Sequence, residues 1–96
     1  MERGKVLDKA KEIINGARQD EYGNPENSFN LIARYWQTYL NARAGSGHII
    51  CPLEGKDVAM MMAMFKLARL QGQKYTEDSV VDACGYLALY ADMRGE

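Results

Sequence analysis

The chain has 96 residues, of which 47% are hydrophobic and 26% are charged, and it carries a formal net charge of -1 at pH 7. Chains of this length form a single domain, which we expect to span residues 1–96, and the composition is too apolar for an intrinsically disordered protein. The slightly acidic charge provides no general positive potential, so nucleic acid is not a favoured partner.

Neither a membrane anchor nor a secretion signal is predicted. The N-terminal stretch MERGKVLDKAKE lacks an apolar segment, and the longest apolar runs, 58–65 and 83–91, are shorter than the roughly 20 residues that a spanning helix needs. Cys51 and Cys84 lie far apart, without the Cys-x-x-Cys spacing of redox or metal sites. These features are typical of a cytoplasmic protein in a reducing compartment.

Two amphipathic helices are predicted in the first half of the chain. Apolar residues recur at three- and four-residue steps from about residue 4 to residue 18, with charged residues between them. The dipeptide Asn24-Pro25 then indicates an N-cap followed by proline at the first helical position, so a second helix begins there and ends near Arg43. The expected inner stripe of this helix comprises Phe29, Ile32, Ala33, Trp36 and Leu40, widened by Tyr35 and Tyr39.

The second half of the chain predicts two further helices. One extends from about Leu53 to Gln71 and is closed by Gly72, and the other begins after Thr76, a favourable N-cap, and ends at about Arg94. No segment alternates with a period of two for long enough to form a strand. The sequence therefore predicts an all-α, four-helix bundle-like domain.

Helices three and four are apolar on nearly every face, over residues 58–65 and 80–91. A helix that is apolar all round is normally buried all round. Each helix of a four-helix domain has only two or three neighbours, so one face of this pair would meet water in a monomer. We therefore expect the chain to associate with itself as a homo-oligomer, most simply a dimer.

Acidic side chains interrupt these apolar helices in two pairs. Asp78 and Asp82 are four residues apart on helix four, so they share one face of a regular helix. Glu54 and Asp57 are three residues apart near the start of helix three. Antiparallel packing would place the two pairs at opposite ends of the helices, which argues against a single cage of four carboxylates within one chain.

The basic residues Lys66 and Arg69 lie in the C-terminal half of helix three. If helices three and four are antiparallel, they stand at the height of Asp78 and Asp82. One interpretation is an internal ion pair from Asp82 to Lys66 or Arg69 that fixes the register of the helices, because an uncompensated buried charge is costly. The other is a ligand site, in which Asp78 and Asp82 hold Mg2+ and the basic residues receive phosphate oxygens.

The link between helices one and two, RQDEYGNP, leaves a similar choice. Arg18, Tyr22 and Asn24 either cap and cover helix ends, or bind a phosphate and a base beside a helix N-terminus. Under the second interpretation Arg18 contacts the phosphate, and Tyr22 or Trp36 stacks on the base. His48 has no companion Cys or His at ligand spacing, which argues against a zinc site.

Three stretches, ARQDEYGNPENSFNLIARYWQTYL, DVAMMMAMFKLAR and DSVVDACGYLALY, together resemble a small family of uncharacterised proteins common in tailed-phage and prophage genomes. The shared pattern is an Arg before Tyr-Gly-x-Pro, a Phe and a Trp in the next helix, a Met-rich helix from Asp-Val-Ala to Lys-x-x-Arg, and a closing Asp-x-x-x-Asp-x-x-Gly-Tyr. The matching positions, within about residues 6–91, are Arg18, Tyr22, Gly23, Pro25, Phe29, Trp36, Asp57, Lys66, Arg69, Asp78, Asp82, Gly85 and Tyr86.

The helical layout of that family is similar to the all-α nucleotide pyrophosphohydrolases of the MazG type and to phage nucleotide-modification-associated domains. The resemblance implies a MazG-like layout, a dimer or tetramer, a bacterial or phage-infected host cell, and acidic residues that hold Mg2+ for hydrolysis of nucleoside triphosphates. Glu54-x-x-Asp57 fits half of the MazG pattern of Glu-x-x-Glu followed by Glu-x-x-Asp. Asp8 and Glu12 on helix one depart from the other half, because they are four residues apart instead of three.

Two functions stay open at this point. The first is a phage-type domain that binds a nucleotide or a related phosphorylated metabolite, with or without Mg2+-dependent hydrolysis. In that case Asp78, Asp82, Asp57 and Glu54 would hold the metal, and no catalytic residue is assigned. The second is a non-catalytic, oligomeric protein-interaction domain whose charged residues form internal pairs.

Overall fold

A computed structural model of the chain describes residues 1–16, 25–45 and 51–94, and within these ranges it contains helices and no strand. The helices are α1 (Arg3–Asn15), α2 (Pro25–Ala44), α3 (Gly55–Gly72) and α4 (Glu77–Met93). The prediction of an all-α chain with four helices is confirmed for this part of the molecule. The predicted end of the first helix, the Asn24 cap, Arg18, Tyr22 and His48 lie outside the described residues.

The caps explain where α3 and α4 begin. Thr76 Oγ1 accepts a hydrogen bond from the Ser79 backbone N–H at 3.3 Å, so the predicted N-cap of α4 is confirmed. The third helix begins at Gly55, two residues later than predicted, because Glu54 has an extended backbone and acts as its N-cap. The predicted C-cap Gly72 is instead the last helical residue of α3, and the extended residue Gln73 follows it as the cap.

The helices pack in the spatial order α1, α4, α3 and α2. Helix α4 contacts α1 and α3, and α3 also contacts α2. Only residues 73–76 connect α3 to α4. A connection this short makes the two helices antiparallel neighbours, as in other helical hairpins.

Small side chains dominate the core and allow the helices to approach closely. The buried hydrophobic residues are Ala10, Ala33, Val58, Ala59, Ala63, Val81 and Ala83. Two glycines mark the closest approaches: a Cβ atom at Gly85 would lie 3.2 Å from Ile14 Cγ2, and one at Gly55 would lie 2.7 Å from Asn30 Oδ1. A larger residue at Gly55 would therefore displace the Asn30 side chain, whose Oδ1 accepts a hydrogen bond from the Gly55 backbone N–H.

Large apolar side chains remain on the surface of this open arrangement. The radius of gyration is 15.0 Å, whereas a compact domain of this length has about 12.5 Å. The exposed large hydrophobic residues are Met1, Leu7, Leu31, Tyr35, Tyr39, Met64, Phe65, Leu67, Tyr75 and Leu87. The single chain therefore leaves large apolar side chains uncovered on all four helices.

The prediction that Tyr35 and Tyr39 widen the inner stripe of α2 is wrong. Both side chains are strongly exposed, whereas Ala33 is fully buried. At about 100° per residue, the tyrosines lie some 200° and 240° round the helix from Ala33, on its outer side.

No helix within the described residues is long and apolar enough to cross a membrane.

Candidate functional site

The sequence placed four charged residues close together on α3 and α4, and we call Lys66, Arg69, Asp78 and Asp82 the charged cluster. Its strongest feature is an ion pair between the two helices. Lys66 Nζ lies 3.1 Å from Asp82 Oδ2, and the two side chains are only 15% and 13% exposed. Lys66 and Asp82 lie at similar distances from the connection between the two helices, so antiparallel packing brings them to the same height. The structure thus brings together two of the four residues that the sequence placed in this cluster.

The other two members, Arg69 and Asp78, are exposed on the same pair of helices. Within the described ranges, neither side chain takes part in an ion pair. The Arg69 guanidinium carbon lies 5.6 Å from the centroid of the Phe65 ring, and Lys66 Nζ lies 5.7 Å from it. Both cations are therefore within the range of favourable cation–π contact.

Glu54 and Asp57 form a local structure at the N-terminus of α3. The Glu54 backbone N–H donates a hydrogen bond to Asp57 Oδ2 at 2.8 Å, and Glu54 Oε2 lies 3.6 Å from Lys56 Nζ. Asp57 also places a negative charge at the positive end of the helix dipole. These contacts explain the spacing of the pair without a metal ion.

The described residues contain no cluster of three or more His, Cys, Asp or Glu side chains that could hold a metal ion. Asp78 and Asp82 therefore offer a metal two carboxylates at most from this part of one chain, and Asp82 Oδ2 already faces Lys66. Magnesium usually binds through one or two carboxylates together with water and substrate phosphates. Two carboxylates would leave the remaining coordination positions of Mg2+ to water or to substrate phosphates.

Trp36 is half-buried on α2, so its ring is only partly available to a base. An aromatic contact joins α2 to α4, where the ring centroids of Phe29 and Tyr86 are 6.2 Å apart. The roles predicted for Arg18 and Tyr22 concern residues outside the described ranges.

Two polar residues of α2 that the sequence did not single out hold the segment before α3. Asn30 Oδ1 accepts a hydrogen bond from the Gly55 backbone N–H at 2.9 Å, and Gln37 Oε1 accepts one from the Leu53 backbone N–H at 2.7 Å. Both amides lie seven residues apart on one face of α2, beside its apolar stripe. The seven-residue spacing was the sequence signal that could have identified this pair. Because both hydrogen-bond partners are backbone groups, the role of the two amides is structural.

Comparison with known proteins identifies one family and two phage relatives. Residues 5–94 match the family model described as a domain of unknown function, DUF6378. The chain is 36% identical over 89 residues to the gene 55 protein of Mycobacterium phage L5, an alignment that covers 93% of this chain and 52% of the phage protein. It is 33% identical over 81 residues to the gene 55 protein of Mycobacterium phage D29, covering 84% of this chain and 48% of that protein.

The chain thus spans about half the length of the curated relatives that it matches. No solved structure matches it. The phage relatives agree with the resemblance to an uncharacterised phage family, and the similarity to MazG-type enzymes stays a prediction.

Proposed function

This chain belongs to DUF6378, a family of domains of unknown function, and we propose that it acts as a non-catalytic helical interaction domain that associates with itself. The observation that carries the proposal is the apolar surface left uncovered on α3 and α4. Met64, Phe65, Leu67 and Leu87 are all exposed, while the core between the helices contains mainly alanine and valine. Its phage relatives suggest the cytoplasm of a bacterial or phage-infected cell as the setting.

The size of the exposed surface supports self-association. The chain exposes 7101 Å². A folded monomer of 10.8 kDa is expected to expose about 5,500 Å². The difference of about 1,600 Å² reflects the open arrangement of the helices, and it exceeds the roughly 800 Å² that each partner buries in a standard interface.

The Lys66–Asp82 pair fits this proposal as an internal contact. Its two side chains face each other at 3.1 Å across the α3–α4 interface and are largely shielded from water. A paired, mostly buried charge fixes the register of two helices and does not require a ligand.

Sedimentation velocity of the whole chain tests the proposal. We expect a dimer or a larger homo-oligomer at micromolar concentrations, with a mass that is a multiple of 10.8 kDa. A monomer throughout that range would contradict the proposal.

A second candidate function is the binding of a nucleotide or a related phosphorylated metabolite with Mg2+, with or without hydrolysis as in MazG-type enzymes. The observation that favours it is the exposure of Arg69 and Asp78 beside the Lys66–Asp82 pair. In this proposal Asp78 and Asp82 hold the metal, and Lys66 and Arg69 receive phosphate oxygens. Asp57 and Glu54 are not assigned to the metal in this proposal, because they already make contacts at the N-terminus of α3.

A thermal-shift screen with nucleoside triphosphates, with and without Mg2+, tests this second candidate, followed by detection of released pyrophosphate. A ligand-dependent shift should disappear in Asp78→Asn and in Arg69→Gln, which alter exposed side chains and should leave the fold intact. Asp92→Asn, at another exposed aspartate of α4, is the matched control and should keep the shift. No shift with the unmodified chain, or equal shifts in all three variants, would refute the ligand site.

A further inference from the structure

The side of α3 that faces away from the core carries an unbroken apolar stripe. The stripe lies between Asp57 and Gln71 and consists of Met60, Met61, Met64, Leu67 and Ala68. Successive members are one, three, three and one residues apart. At about 100° per residue these five positions share an arc opposite the buried side of the helix. We name this surface the outer face of α3.

The outer face is exposed from its centre towards its C-terminal end. Met64 is 52% exposed and Leu67 is 48% exposed, whereas Ala59 and Ala63 on the opposite side of α3 are buried. The helix neighbours of α3 are α2 and α4. Neither of them covers Met64, Leu67 or Ala68, which are exposed, whereas Met60 and Met61 at the N-terminal end of the face are half-buried.

We propose that the outer face of α3 packs against the same face of a second copy of this chain, antiparallel and across a twofold axis near Met64. This inference rests on the proposed function, since it assumes that the chain associates with itself. A twofold interface uses the same patch on both subunits, so the patch must be complementary to itself. The residues of the outer face meet that condition.

The spacing of the stripe is symmetric about Met64. Three residues away lie Met61 and Leu67, and four residues away lie Met60 and Ala68. An antiparallel arrangement places Met61 opposite Leu67 of the partner subunit and Met60 opposite Ala68 of the partner subunit. The second contact pairs a long flexible side chain with a small one, and methionine adapts readily to irregular surfaces.

Electrostatics also favour the antiparallel arrangement. The N-terminal end of α3 then lies beside the C-terminal end of the partner helix, which aligns the helix dipoles favourably. It places Asp57 opposite Gln71 of the partner subunit, whereas a parallel arrangement would bring the two Asp57 carboxylates together. The area available for an interface is also sufficient. The exposed area of the chain exceeds that of a compact monomer of the same mass by about 1,600 Å², which is larger than the area that one partner buries in a standard interface.

The first test compares charged substitutions on three exposed surfaces by sedimentation equilibrium. Met64→Glu places two carboxylates near the proposed axis, and we expect it to raise the dimer dissociation constant at least about 100-fold. Leu7→Glu on α1, where the original side chain is 62% exposed, and Tyr35→Glu on α2 are matched controls that should change the constant less than about threefold. Circular dichroism should show the same helix content for all three variants.

The outcomes separate this inference from the proposed function. If the unmodified chain is a monomer, both are wrong. If the chain dimerises but Met64→Glu leaves the dimer intact, or if Leu7→Glu or Tyr35→Glu dissociates it instead, self-association stands and the outer face of α3 is not the interface.

Disulfide mapping provides a second test that does not depend on disrupting the interface. In a background of Cys51→Ser and Cys84→Ala, oxidised glutathione should cross-link Met64→Cys chains, because both copies of this residue lie near the axis. Met61→Cys alone should not cross-link, since its two copies would be displaced by about 9 Å along the helices, beyond the reach of a disulfide. Mixing Met61→Cys chains with Leu67→Cys chains should form a covalent heterodimer.

Efficient cross-linking of Met61→Cys with itself would indicate parallel helices and would overturn the antiparallel proposal. Absence of cross-linking at Met64→Cys in a chain that still dimerises would overturn the proposed axis.

Discussion

Removing one partner of the Lys66–Asp82 ion pair should destabilise the chain far more than removing both. Breaking a fully buried pair costs about 3–5 kcal/mol, because the remaining charge is left without a partner. Since these side chains are 15% and 13% exposed, water can reach the survivor in part, and we expect Lys66→Met or Asp82→Leu to cost about 2–3 kcal/mol. The double variant removes both charges, and its stability should lie within about 1 kcal/mol of the original.

Urea unfolding followed by circular dichroism measures these differences, at one fixed protein concentration because self-association contributes to the apparent stability. Lys56→Met is the matched control. It removes the Lys56–Glu54 contact, which spans 3.6 Å between side chains that are 39% and 68% exposed, and we expect a change below about 0.5 kcal/mol. If Lys66→Met costs no more than Lys56→Met, the Lys66–Asp82 pair is solvated and does not fix the register of α3 and α4.

Three further substitutions test the packing. Gly55→Ala should cost about 1–3 kcal/mol in urea unfolding, since its Cβ would lie 2.7 Å from Asn30 Oδ1, and adding Asn30→Ala should recover part of that loss if the clash is its cause. Thr76→Ala should lower the stability by about 1 kcal/mol through loss of the α4 cap, while Thr76→Ser should retain most of it. Gly85→Leu should separate α1 from α4, because the new side chain would collide with Ile14. Amide hydrogen exchange should then be faster in α1 than in α3. Equal protection of the two helices would argue against the packing described.

The helices were predictable because their signals are local. A repeat of about 3.6 residues and a favourable cap at Thr76 predicted four helices and the start of α4, which the structure confirms. The short link between α3 and α4 also made the contact between Lys66 and Asp82 predictable, since antiparallel helices bring residues at equal distances from the turn to one height.

The side from which each helix is covered was harder to predict. Tyr35 and Tyr39 are apolar enough for a core, yet the small core of α2 is centred on Ala33, and the tyrosines project from its other side. The Glu54-x-x-Asp57 spacing was ambiguous for another reason. A separation of three residues suits two metal ligands and also suits a hydrogen bond from the N-cap backbone to the third helical residue, which is the contact present.

In the charged cluster, too, the spacing of residues in the sequence was compatible with more than one contact. From the spacing alone, either Lys66 or Arg69 could pair with the Asp82 carboxylate. Of these two, Lys66 forms the ion pair, at 3.1 Å. Arg69 lies one turn nearer the end of α3, where its side chain is exposed and contacts the Phe65 ring. Three-dimensional packing, which depends on side chains distant in sequence, decides between such neighbours.

The most direct test of the account is the mass of the unmodified chain in solution. Sedimentation velocity across micromolar concentrations should give twice the chain mass of 10.8 kDa, and the Met64→Glu variant should sediment as a monomer. A single species at 10.8 kDa for the unmodified chain would contradict the claim that its exposed apolar surface is covered by a second copy.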